Sequence, residues 1–210
     1  MKNIGLKTVL STLGFFGVTY MTLVFTNRAG KVPYLIVALF LLGFGIYAFI
    51  KSQKIEDNKF ISNFLAIISG IAIWSFVGEF MENANMFIEN SSVKIAHWNF
   101  LLILLLAIFV FLQIRKSLNL SVQFSLSSFL LIWSMHYIMI FQFEVLSPTH
   151  FSTYIMCGMF VVLTALAILK TRKNSNINSV MFWSYLGLLT AWNILEYIWG
   201  WRLIPGPYAI

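Results

Sequence analysis

Seven long apolar runs, separated by short clusters of charge, constrain this chain more than any other feature of its sequence. They lie near residues 5 to 25, 32 to 50, 60 to 81, 97 to 114, 121 to 143, 151 to 169 and 179 to 200. A hydrocarbon core of about 30 Å takes roughly 20 helical residues to cross, so seven crossings use about 140 residues. The chain has 210, which leaves short loops and points to one transmembrane domain over residues 1 to 210. Only 10% of the residues are charged, against about 25% in ordinary soluble domains. Too few polar groups remain to cover a water-facing surface. The expected fold is an all-α polytopic bundle of about seven transmembrane helices, solvated by lipid in a cell membrane, that of a bacterial inner membrane.

The charges report orientation. Lys2, Lys7, Lys51, Lys54, Lys59, Arg115, Lys116, Lys170, Arg172 and Lys173 fall on one side of the alternating runs, ten of the fourteen basic residues. Arg28, Lys31, Lys94 and Arg202 fall on the other. The positive-inside rule therefore predicts a cytoplasmic N-terminus and, after an odd number of spans, an external C-terminus. Topology thus accounts for the net charge of +7 without a nucleic acid partner. Lys2 and Lys7 precede the first apolar run as in a secretory signal, but Val24-Phe25-Thr26-Asn27 gives no small-x-small cleavage site. A retained first helix is expected. Cys157 is the single cysteine, beside Gly158, and has no partner for a disulfide or a CxxC metal site.

Three runs share a short pattern, Ile73-Trp74-Ser75, Ile132-Trp133-Ser134 and Ala191-Trp192-Asn193. The tryptophans are spaced by 133 minus 74 and by 192 minus 133, both 59. They fall on the third, fifth and seventh runs, which cross in the same direction, so duplicated helical hairpins are one origin and coincidence is the other.

Chemistry-bearing side chains gather toward the outer side. Ser75, Gly78, Glu79, Glu82 and Asn83 follow the spacing i, i+3, i+4, i+7, i+8, a polar stripe on an apolar helix. Glu196 follows about 17 apolar-rich residues, roughly 25 Å of rise, which places it below the outer interface. Trp192, Asn193, Trp199 and Gly200 lie within one turn of it. His136 reaches a similar depth, with Ser128 two turns below, and His97 and Trp98 open the fourth run at the outer edge. Each residue alone has an ordinary explanation in packing or in an interfacial belt. Together, Glu79, His97, His136 and Glu196 reach one level on four helices, and ionisable groups at membrane depth need pairing or hydration. A carboxyl shielded from water holds its proton more tightly and can later donate it, while indole faces stabilise developing positive charge.

Several familiar activities are excluded. The seventh run has no lysine to anchor a retinal of the microbial rhodopsin kind. The spaced zinc histidines of haemolysin III and adiponectin-receptor proteins are missing, as are HExxH, GxSxG, Walker, CxxCH and rhomboid-like serine motifs. Over seven residues, Ala191-Trp192-Asn193-Ile194-Leu195-Glu196-Tyr197 resembles the Trp-Glu segments of integral membrane terpene cyclases. That resemblance implies substrate protonation from a membrane carboxyl.

The sequence therefore predicts an integral membrane enzyme that performs acid–base chemistry on a lipophilic molecule in an outer-leaflet cavity. Glu196, Glu79 and His136 are its candidate catalytic groups, and Trp192, Trp133, Trp74, Asn193, Glu82 and His97 its candidate substrate-binding groups. One rival is a proton- or cation-coupled transporter or channel using Glu79 and Glu196. A second rival has His97, His136, Glu79, Glu82 and Glu196 binding a metal or haem, although no motif specifies a cofactor. Membrane lipids are the expected surroundings in each case.

The orientation is testable with topology reporters. A reporter active only outside the cytoplasm should work when fused after Ile210 and be silent after Lys173. The reverse pattern would overturn the assignment.

Overall fold

Apolar runs of this length favour helices, because a helix satisfies every peptide group within its own segment where water is excluded. The computed structural model describes residues 9–15, 17–19, 31–85, 91–115, 118–144 and 151–202, with side chains over 9–15, 17–19, 36–78, 100–115, 118–135 and 154–196. Among these residues the chain is all-helical. α1 is the helical segment Val9–Thr19, followed by α2 (Lys31–Lys54), α3 (Lys59–Asn85), α4 (Ser91–Arg115), α5 (Leu120–Glu144), α6 (Phe151–Lys173) and α7 (Ile177–Arg202). From α2 onward the helices hold 23 to 27 residues, roughly 35 to 40 Å of rise.

Three of them contain stretches long and apolar enough, among the described residues, to cross a membrane: Ile36–Lys54, Lys59–Gly78 and Tyr154–Lys173. The α3 stretch is the enclosed one, 56% buried against 28% and 22% for those in α2 and α6. Accordingly α2 exposes Leu39, Phe40, Ile46 and Ile50, and α6 exposes Val161, Val162, Ile168 and Leu169. Such contiguous apolar faces suit lipid.

Local chemistry sets the helix ends. Lys51 and Lys54 close α2, Arg115 closes α4, and Lys170, Arg172 and Lys173 close α6, where cations oppose the negative end of the helix dipole. Lys51 Nζ lies 5.7 Å from the centroid of the Tyr47 ring and the Arg115 guanidinium 5.2 Å from that of Phe111, each one turn back along its own helix. α3, α5 and α7 all begin on an asparagine. The Asn58 Oδ1 accepts from the Ile61 amide at 3.2 Å, that of Asn119 from Val122 at 2.9 Å, and that of Asn176 from Asn178 at 3.0 Å. Side-chain acceptors at this position satisfy amides that the first turn leaves without partners. Counted from these caps, Trp74 and Trp192 each stand 16 residues in (74 minus 58, 192 minus 176) and Trp133 stands 14 (133 minus 119).

The helices group into two compact units, with α5 shared between them: residues 1–94 with 119–129, and residues 95–118 with 130–210. In the first unit α2 and α3 pack antiparallel, with Gly45 against Ile73 and Ser69, and the Ser62 hydroxyl donating to the Ser52 carbonyl at 2.6 Å. α3 lies parallel to the first half of α5, as Ser62 meets Ser121 and Ser69 meets Ser125. In the second unit α6 and α7 are antiparallel, with Gly187 facing Ala167 and the Thr164 hydroxyl donating to Thr190 at 2.8 Å. Small residues at these contacts let the backbones approach.

Gly70 is the tightest of them. A Cβ there would strike the Ser125 carbonyl oxygen and stand 2.8 Å from the Ser128 Cβ. Both obstacles belong to α5 and lie on or next to its backbone, so relief requires moving a helix. Gly43 has open space at the same position. Gly70→Val should therefore lower stability by about 1 to 3 kcal/mol, whereas Gly43→Ala should hold or raise it by a few tenths of a kcal/mol through helix propensity. Thermal unfolding in detergent compares the two.

Candidate functional site

The seventh helix presents two faces of different character. Phe182, Leu186, Thr190 and Asn193, at the spacing of a packed stripe, are buried, whereas Leu188, Trp192 and Leu195 are exposed. Glu196 is three residues beyond Asn193 and four beyond Trp192, so its side chain straddles the boundary and is half-buried. The Trp192 Nε1–H donates to the Glu196 Oε1 at 3.0 Å. Trp192 itself is 53% exposed. The carboxyl is thus held by an indole on the outward side of the helix.

Asn193 does the opposite. It is 1% exposed, and its Nδ2 donates to the Leu131 carbonyl of α5 at 3.1 Å and to Leu189 at 2.9 Å. Its Oδ1 has no hydrogen-bond partner. Ser134, three residues after Leu131, turns its hydroxyl back onto the Leu130 carbonyl at 2.7 Å. Trp133 beside it is buried at 3% exposure. In the other unit Trp74 is 7% exposed and packs edge-on against Phe129 with centroids 6.2 Å apart. Ser75 of the predicted polar stripe is half-buried and donates to the Ile71 carbonyl at 2.9 Å.

Of the predicted site, then, the structure joins Trp192 to Glu196 directly and anchors Asn193 to α5. It separates Trp192, on the outer surface of its helix, from the buried Trp133. The side chains of Glu79, Glu82, His97 and His136 lie outside the described residues. Among the described residues no three His, Cys, Asp or Glu side chains come together as metal ligands would.

Sequence reading passed over two polar side chains. Asn63 on α3 is buried and its Nδ2 has no partner; Gln113 on α4 is buried and neither of its amide atoms has one. Each lies within four residues of a charge, Lys59 or Arg115, and reads as interfacial in a linear sequence. An amide near the basic end of a helix, at a position that falls on its packed stripe, is the signal that would have found them.

Comparison with known proteins adds nothing to this geometry: no family model matches the chain, and neither a curated protein nor a solved structure is similar to it.

Removing the Asn193 amide should be felt mainly as lost cohesion between α7 and α5. Asn193→Leu should lower thermal stability by about 0.5 to 1.5 kcal/mol, the range of interhelical hydrogen bonds in membrane proteins. An unchanged melting temperature would mean that the contact to Leu131 contributes only packing.

Proposed function

We propose that this chain is a seven-span inner-membrane protein, cytoplasmic at its N-terminus and external at its C-terminus, that performs acid–base chemistry on a lipophilic molecule entering from the outer leaflet. One observation carries the reading: the Trp192–Glu196 pair sits on the exposed side of α7, where a molecule dissolved in lipid meets it without crossing the bundle. A polar carboxyl facing hydrocarbon is unfavourable unless paired or put to use.

In this reading Glu196 is the acid that donates a proton to the substrate, and the exposed indole of Trp192 stabilises the positive charge that develops. Glu79 is the partner base or second acid, and His136 relays the proton. A base that recovers a proton from an adjacent carbon gives isomerisation or cyclisation, and attack by water gives hydrolysis. Trp133, Trp74, Asn193, Glu82 and His97 are assigned to substrate binding on the shared level read from the sequence.

The transport reading has its own support. Ser62, Asn63, Ser69, Ser125 and Ser128 are buried in the N-terminal halves of α3 and α5, so polar groups occupy the inner level as well, as a translocation path requires.

The test uses purified protein in nanodiscs, with the bound lipophilic molecules extracted and identified by mass spectrometry. Wild type should retain one molecule beyond bulk lipid, and Glu196→Gln, which keeps the hydrogen bond but cannot deliver a proton, should accumulate its unconverted form and lose about 100-fold or more in turnover. Glu196→Asp should keep a part. Equal loss of melting temperature in Glu196→Gln and Arg202→Gln, with no molecule retained by either, would make Glu196 half of a structural ion pair and end the enzyme reading. Proton or cation flux into liposomes, abolished by Glu196→Gln, would select transport.

A further inference from the structure

The unused polar groups of the first unit concentrate where α3 meets the first half of α5. Ser62, Asn63 and Ser69 of α3 and Ser125 and Ser128 of α5 are all buried, and Ser121 lies alongside. Small hydroxyls at a helix contact are ordinary packing. Two features here are not.

The first is the Asn63 amide. Its side chain is 3% exposed and its Nδ2 has no partner. Asn63 precedes Gly70 by two turns and Trp74 by three, so the three share one face of α3. That face looks at α5, because Gly70 meets Ser125, Ser128 and Phe129, and Trp74 meets Phe129. The orphaned N–H groups are therefore turned toward the start of α5, beside the level at which Ser62 and Ser121 approach. Leaving such a donor unmade costs about 1 to 3 kcal/mol.

The second is spacing. The Ser62–Ser121 and Ser69–Ser125 hydroxyls stand 3.5 Å apart in both pairs, longer than the 2.7 to 2.8 Å typical of bonded hydroxyls. Ser62 already gives its proton to the Ser52 carbonyl, which leaves its oxygen to accept. The seam offers donors and acceptors but no buried charge, so it suits a neutral molecule able to do both. Water is that molecule, and orphaned buried polar groups are where internal water binds.

We propose that the seam between α3 and the first half of α5 is a hydrated inlet, entered from the N-terminal ends of these helices, where the charge pattern places the cytoplasm. Water there accepts from the Asn63 Nδ2 and donates to the Ser62 or Ser121 hydroxyl. The inlet begins near the Asn58 cap and ends at Gly70, twelve residues on (70 minus 58), about 18 Å of helix. The Gly70 contact with Ser125 and Ser128 closes it, and Trp74 against Phe129 covers the closure. This proposal stands independently of Glu196, which lies in the other unit.

Cysteine accessibility tests it, because the thiolate is what attacks a methanethiosulfonate, and it forms only where water reaches. In a Cys157→Ala background, Ser62→Cys, Ser69→Cys and Ser127→Cys are compared for modification by a small positively charged methanethiosulfonate applied from the cytoplasmic side. Serine to cysteine is nearly isosteric, and circular dichroism with the melting temperature confirms folding. Ser127 is equally buried, but on a different face of α5, bonded to the Phe124 carbonyl. Ser62→Cys should react about tenfold or more faster than Ser127→Cys, with Ser69→Cys between them. Adding Asn63→Leu, which removes the amide at similar volume, should slow Ser62→Cys by about the same factor. Equal rates at all three positions would overturn the inlet. A fast Ser62→Cys indifferent to Asn63→Leu would overturn the water site at Asn63.

Discussion

Every peptide group shielded from water must find its hydrogen bond within the chain, at several kcal/mol for each failure, and the helices that make up the described residues of this protein meet that requirement. It makes helices of the apolar runs and moves the problem to their ends. There the chain supplies acceptors from asparagine at the starts of α3, α5 and α7 and cations at the ends of α2, α4 and α6. Where a helix crosses a membrane it gains little from apolar burial against its neighbours, since lipid tails are equally apolar. Helix association then depends on close approach and on side-chain hydrogen bonds.

That dependence explains where glycine, serine and threonine stand. Gly45, Gly70 and Gly187 stand where a neighbouring helix approaches too closely for an unadjusted Cβ. Thr164 with Thr190, and Asn193 with the Leu131 carbonyl, are polar ties between helices. Most other hydroxyls bond back onto their own helix, as Ser128 does to Phe124 and Ser134 to Leu130, which keeps them neutral partners in an apolar setting. Against this background an orphaned amide is conspicuous, since nothing in the medium can satisfy it except water or a ligand.

The helices themselves were legible in the sequence. The runs read at 32 to 50 and 151 to 169 lie inside α2 and α6, whose helices continue to Lys54 and Lys173 because basic residues extend a helix past the apolar stretch. Less of the candidate site could be read. Trp192 and Glu196 were placed together by an i, i+4 spacing, which is a property of one helix and needs no tertiary information. The direction in which Trp192 points was not, because the seventh run carries large apolar residues on every face and its few polar ones, Thr190 and Asn193 on the packed stripe and Glu196 at its edge, do not mark which face is enclosed.

The sequence by itself determined the helical class, the placement of the helices and the chemistry of their caps, because each of these is settled within a few residues of chain by backbone hydrogen bonding and local charge. Only the tertiary structure decided what the repeated tryptophan pattern means residue by residue. Trp74 and Trp133 are enclosed while Trp192 is exposed beside its carboxylate. Tertiary packing likewise buried the Asn63 and Gln113 amides, which the sequence reading passed over. Burial is set by which neighbour a helix face meets, and that neighbour lies some 60 residues away in the chain, as Ser121 does from Ser62 and Leu131 from Asn193.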